Sequence, residues 1–412
     1  MTSEVMIMNR QAVVLAADSA VTYGGGPGSV VTLEAEKILQ LGPNMALMVY
    51  SRGDVLGRSW SHIAHAFKRA QGDRDFDSVQ ACADAFFAFI DRNRQLFPEK
   101  EEAEELEGLM RAAMLTVLNH ARTLRHHAPG EYGDDAAAFE GALDLYRAHL
   151  LQDDGGAERA NLDVFAELDR DRFYERYAAM LDSLISDALG PFGMQESIRN
   201  KLFDFAYLII TKPAFLEPYA GLVFAGFGES DVFPVYSHYY ASILVDGVMK
   251  RAHDETTQVG VENGPNAFLR TFAQAEMTHA FLRGIHPYLF DVMASMNMVT
   301  NEAASEVALR KAGLDDDAVD AVMSELRDSE LLSLSAEFIH TARTISQEEF
   351  IDPFIAVVAA SGKKQMGETA KALVELNILK SDLHQTQTGV GGEVDVAMIS
   401  RTGGFEWYAK KS

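Results

Sequence analysis

The 412-residue chain holds 36 basic and 61 acidic residues, a formal net charge of −25, with 48% hydrophobic residues. That balance suits a soluble globular protein with a large apolar interior. It argues against nucleic acid and anionic membrane surfaces, which attract basic patches. Cys82 is the sole cysteine, so an intrachain disulfide and a multi-thiolate zinc site are excluded.

The first elements are short and apolar. Residues 4–8 and 12–18 read as strands, rich in Val, Ile and Met and separated by the polar break Asn9–Gln11. Gly24-Gly25-Gly26-Pro27-Gly28 reads as a plain turn rather than a phosphate cradle, because no Gly-Lys-Ser/Thr ending follows it. Two further strands are expected at 37–41 and 45–50, split by Gly42-Pro43-Asn44. Tightly connected strands of this kind indicate an antiparallel sheet rather than βαβ units.

From Asp54 the period becomes helical, with Trp60, Ile63, Ala64 and Phe67 on one face. Helical stretches are expected near 77–96, 98–126, 157–189 and 193–212, with loop and one short helix over 128–156. Pro98 and the carboxylates Glu99, Glu101 and Glu102 mark a helix start. The acidic run 99–107 reads as the solvated face of that helix, and the many methionines read as core. Strand character returns at 221–227 and 232–245, and Asp246-Gly247 predicts a hairpin turn into 248–251. Residues 265–346 read as mostly helical; a helix near 365–380 precedes strands at 393–399 and 405–409.

The fold class is therefore α+β, with the first and last strands expected as neighbours in one sheet. The organisation divides into N-terminal strands (1–54), an inserted helical block (55–217), core strands (218–262), a helical region (263–347) and a C-terminal helix with strands (348–412). The apolar start is broken by Asn9, Arg10 and Gln11, and no cationic segment precedes it. No apolar run approaches the ~18 residues of a membrane span. A cytoplasmic protein is expected.

Thr2 stands directly behind Met1. An aminopeptidase is expected to remove a Met before so small a residue. Thr2 would then carry a hydroxyl nucleophile and a free α-amino base on one residue, a device that needs no triad partner. Thr2, the strand pair ending in Ala16-Ala17-Asp18-Ser19, and Lys37 ahead of Ile38–Leu41 together resemble the opening of proteasome β-type subunits and other N-terminal nucleophile hydrolases. Met45–Tyr50 leading to Ser51-Arg52-Gly53, and Val390-Gly391-Gly392 near the C-terminus, extend the resemblance. It covers roughly the first fifty residues and the last forty to fifty.

The resemblance implies a four-layer αββα sandwich and cleavage of amide or peptide bonds. Thr2 would be the nucleophile and Lys37 the nearby cation that disfavours the protonated amine. Asp18 would hold Lys37, and the Ser51 N–H would be the oxyanion donor. It implies a peptide or amide substrate, a homo-oligomer, and neither cofactor nor metal. The chain also departs from the family: Ala20 replaces an Arg, Val390 replaces a Ser, and the supporting Asp is at best Gln387 or Asp382. Ser230 is a candidate for the positioning Ser. Those departures leave a catalytically inactive structural relative and a small-molecule amidase as alternatives. His62 with His65, and His126 with His127, read as surface or satisfied core residues rather than metal ligands.

Overall fold

The computed structural model describes residues 2–23, 30–127, 130–153, 155–192, 194–216, 218–262, 264–384 and 390–411. Met1, the Gly24–Gly28 turn and Gln387 lie outside the described residues. The protein is mixed α+β, and its chain divides into two compact units. The first comprises residues 1–38, 232–234 and 258–412, and the second comprises 39–231 and 235–257.

The first unit is built on a five-stranded antiparallel sheet. Its order is Ala267–Ala273, Ser3–Asn9, Ala12–Asp18, Val394–Ser400, Gly404–Ala409. The N-terminal and C-terminal hairpins thus adjoin through Ala12–Asp18 and Val394–Ser400, with Val14 opposite Met398 and Asp18 opposite Val394. Alternation decides which side chains face the helices. Val5, Ile7, Val14, Ala16, Val394 and Val396 share a buried cluster with Met366, Ala370, Leu373 and Val374 of the Lys363–His384 helix. The turn between the first two strands is fastened by Asn9, whose Nδ2 donates to the Val358 and Ser361 carbonyls at 2.9 and 2.8 Å.

The second unit holds another five-stranded sheet, ordered Val248–Gln258, Val235–Val245, Ala220–Gly226, Met45–Ser51, Ile38–Gly42. Helices Trp60–Gln71 and Val79–Arg92 cover one face, where Phe67, Phe86, Phe87, Leu222 and Phe224 interlock. Longer helices, Glu99–His127, Asp135–Leu151, Arg170–Leu189 and Glu196–Thr211, build a second core that includes Ile243 and Val245. The Asp246-Gly247 hairpin forms as the sequence predicts, with φ of 53° and 74°. A side chain at Gly247 would also collide with Arg94, since a Cβ there would lie 1.7 Å from its Cζ.

Several expectations change. Residues 265–346 are not continuously helical, because Ala267–Ala273 is a strand paired along its length with Ser3–Asn9. The 128–156 stretch contains a 17-residue helix, Asp135–Leu151, capped by the Asp134 side chain and anchored by Phe139 and Leu143. The strand after the Asp246-Gly247 turn runs on to Gln258 despite its polar sequence, held by its neighbour in the sheet. The acidic run is not wholly solvated: Glu102 is buried and accepts from the Gly247 N–H at 3.0 Å and from Arg94 at 2.6 Å, while Glu105 pairs with Arg52. Nor are all methionines core, since Met293, Met296 and Met298 on the Pro287–Lys311 helix are exposed.

Among the described residues no helix is long and apolar enough to cross a membrane. The Phe86 ring, fully buried with four aromatic neighbours, sits at the centre of the second unit's sheet–helix core. Phe86→Ala is expected to destabilise the protein by about 3–5 kcal/mol in denaturant unfolding, the usual cost of so large a cavity.

Candidate functional site

Thr2 leads into the first strand and extends its ladder by one residue, its carbonyl accepting from the Gln274 N–H at 2.8 Å. Ser3 turns toward the helices, where the Asn377 amide donates to its hydroxyl at 2.9 Å. By the period of a strand, Thr2 and Glu4 therefore point to the opposite face of the sheet. Thr2 is 3% exposed, and its hydroxyl oxygen has no hydrogen-bond partner among the described residues.

Asp18 closes the second strand and organises the surroundings of Thr2. Its Oδ1 accepts from the Ser3 N–H at 2.9 Å and from Lys37 Nζ at 2.6 Å, and its Oδ2 accepts from the Gly391 N–H at 2.9 Å. The Lys37 and Asp18 side chains are 5% and 0% exposed, so the ion pair is removed from bulk water. Lys37 is placed by the chain's entry into the Ile38–Gly42 strand. The Gly391-Gly392 turn fits because Gly392 has φ of 79° and a Cβ there would approach the Ser19 hydroxyl to 2.4 Å. The structure thus brings Asp18, Lys37 and the C-terminal Gly-Gly turn together, beside the residue that follows Thr2.

Ser51 belongs to the second unit, where it ends the Met45–Ser51 strand, exposed and with φ of 68°. A non-glycine residue in that region is strained, and the strain fixes the direction of the chain at the strand's end. Ser230, in the same unit, donates its hydroxyl to the Asp77 carbonyl at 2.8 Å. Asp382 is an exposed residue of the Lys363–His384 helix. The histidines His62, His65, His126 and His127 are exposed, and no group of three or more metal-ligating side chains occurs among the described residues.

Sequence reasoning missed Glu4. It is fully buried, and neither carboxyl oxygen has a hydrogen-bond partner among the described residues. Burial pushes its carboxyl well above the usual carboxylate range; the Lys37 ammonium opposes that shift and the Asp18 carboxylate adds to it. The signal was an acid set directly before the apolar run Val5-Met6-Ile7-Met8, within the segment that reads as a strand.

A second constellation also escaped notice. Tyr50 reaches His238 Nε2 at 2.9 Å, and His238 Nδ1 meets Asp254 Oδ2 at 2.8 Å. Gly221 on the strand between them makes room, since a Cβ there would lie 1.9 Å from the Tyr50 ring. Burial lowers the His238 pKa, the Asp254 carboxylate opposing, so a neutral ring donating from Nδ1 and accepting at Nε2 satisfies all three groups.

The helical part of the second unit encloses a cavity of about 510 Å³, walled by residues such as Leu109, Leu150, Phe205, Ile209 and Phe215 with Arg159 among them. None of Thr2, Asp18, Lys37 or Ser51 lines it.

A scan against protein-family models finds no match to this chain, and a search of curated proteins finds no relative.

Lys37→Met would strand the Asp18 carboxylate in a buried setting and is expected to cost roughly 3–5 kcal/mol in chemical denaturation. Adding Asp18→Asn should return part of that loss. Glu4 gives a pH signature. Its pKa is raised in the folded state, so the unfolded chain loses this proton first and stability falls as pH rises above the ordinary Glu value. Thermal melts from about pH 4 to pH 8 should move the stability difference in favour of Glu4→Gln as pH rises. A pH-independent difference would show that Glu4 ionises freely in the folded protein.

Proposed function

We propose that this chain is a proteasome-like N-terminal nucleophile hydrolase that cleaves amide or peptide bonds through Thr2 after loss of Met1. The observation that carries the reading is the buried Asp18–Lys37 pair at 2.6 Å, tied to the Ser3 N–H next to Thr2, whose hydroxyl is buried and has no hydrogen-bond partner among the described residues. The reading extends to the family's four-layer αββα architecture. In support, each unit carries a five-stranded sheet with helices packed on it.

The chemistry follows from the residue types. The mature α-amine takes the Thr2 hydroxyl proton as Oγ bonds to the carbonyl carbon, and negative charge passes to the carbonyl oxygen. A backbone N–H donor aimed at that oxygen would stabilise the charge. Collapse breaks the C–N bond, and the ammonium returns its proton to the leaving amine. Water then hydrolyses the Thr2 ester by the same proton route. Lys37 keeps the amine from holding its proton too tightly, and Asp18 keeps Lys37 in place.

A catalytically inactive structural relative is the second reading, favoured by Ala20 and Val390 where the family carries Arg and Ser. A small-molecule amidase would want an enclosed pocket at Thr2, and the helical cavity does not include that residue. We further propose a cytoplasmic homo-oligomer. Its support is the Pro287–Lys311 helix, which buries none of its residues and exposes Tyr288, Leu289, Met296 and Val299.

Intact mass of the purified protein should show Met1 absent. A β-lactone, which acylates hydroxyl nucleophiles, should then label wild type once and leave Thr2→Ala unlabelled. Labelling that persists in Thr2→Ala would remove Thr2 as nucleophile, and a retained Met1 would favour the inactive relative. In light scattering, Leu289→Glu with Met296→Glu should shift the protein to a smaller species. An unchanged mass would free this helix face from any role in assembly.

A further inference from the structure

Glu4 is a buried carboxyl in the first strand whose oxygens accept no hydrogen bond among the described residues, and such a group is destabilising unless a polar partner comes to it. It shares a face of the sheet with Thr2, two positions along an extended chain, a separation of about 6–7 Å between Cα atoms. That distance is within reach of a Glu side chain. Removal of Met1 turns the Thr2 nitrogen from an amide into an amine, placing new N–H donors beside that face.

The surrounding charges single out the same pair. Asp18 and Lys37 bear electrostatically on Glu4 and neutralise each other through their ion pair. Arg270, on the neighbouring strand Ala267–Ala273, lies over the Phe272 ring with its Cζ 5.6 Å from the centroid. Helix Lys363–His384 meets the strand's other face, where Asn377 holds Ser3. Asp395, in line with Glu4 across Ala17, is buried and has Lys411 Nζ at 3.9 Å. Among the described residues Glu4 is the buried carboxyl with neither oxygen hydrogen-bonded, and the mature amine would be the base nearest to it in the chain. One proton between them leaves the buried group without net charge.

We propose that Glu4 is the partner of the mature Thr2 α-amino group, that the two share one proton, and that this coupling sets the pH at which the amine acts as base. The inference rests on the Thr2 nucleophile reading. Glu4 is a positioning residue in this scheme. The hydroxyl proton passes to the amine as the Oγ–C bond forms and leaves with the departing amine as the C–N bond breaks. Glu4 ends each cycle as it began. Burial raises its pKa, which favours a proton held between the two groups over a free carboxylate.

The test is the β-lactone labelling rate of Met1-free protein from pH 5 to pH 10, read by intact mass, in wild type and Glu4→Gln. Gln keeps the shape and cannot share the proton. The variant should fold and label, with the rising acid limb moved to lower pH by about one unit or more. A purely structural Glu4 would change the plateau and leave the limb where it is; superimposable limbs overturn the proposal while the nucleophile reading stands. No labelling of Met1-free wild type at any pH removes that reading and this inference together. Should Glu4→Gln fail to fold, carbon-13 titration of the wild-type Glu4 carboxyl answers the same question. Its step should coincide with the labelling limb, and a step well away from it overturns the coupling.

Discussion

The Asp18 carboxylate is the contact on which the first unit's chemistry depends. Its two oxygens collect the Ser3 N–H, the Lys37 ammonium and the Gly391 N–H. Three stretches far apart in the chain are fastened to one buried group. A charge so deeply buried is tolerable only because its partners are both ionic and geometric: a cation supplies Coulomb attraction, and backbone donors occupy the remaining lone pairs. The same anchoring fixes where the chain's second residue lies relative to the Lys37 ammonium.

Beside this satisfied acid lies an unsatisfied one. Asp18 and Glu4 share a neighbourhood and differ in hydrogen bonding, and that difference separates their chemistry. The first is met by three donors and serves architecture; the second is held toward its neutral form by burial. A buried carboxyl without hydrogen-bond donors favours its protonated form, because nothing nearby replaces the solvation its charge would need. In the second unit the Tyr50–His238–Asp254 chain shows a different solution, in which the buried His238 ring is met on one side by Tyr50 and on the other by the more exposed Asp254, and the Gly221 gap makes room for Tyr50.

Charge and apolar surface are distributed unevenly over the helices. The acidic start of the Glu99–His127 helix is partly internal, with Glu102 clamping the Gly247 turn and Glu105 meeting Arg52 beside the strained Ser51. The Pro287–Lys311 helix does the reverse and leaves apolar side chains in solvent. Net charge says nothing about either, because it sums over groups whose desolvation differs from one to the next.

Alternation and turn residues made the Ser3–Asn9 and Ala12–Asp18 hairpin legible in the sequence, together with the Asp246-Gly247 turn and the amphipathic helices around Trp60 and Phe86. These are local properties, set by side-chain period and by which residues tolerate positive φ. Thr2, Asp18 and Lys37 could be named for a different reason: their order and spacing along the chain resemble the opening of N-terminal nucleophile hydrolases. Ala267–Ala273 could not, since its Phe, Leu and Ala fit a helix equally well and only pairing with Ser3–Asn9 makes it a strand. Glu4 read as one acid among 61 acidic residues. Its burial, its missing partners and the Gly391 contact to Asp18 arise from long-range packing, and desolvation is a property of the folded surroundings that no single residue carries.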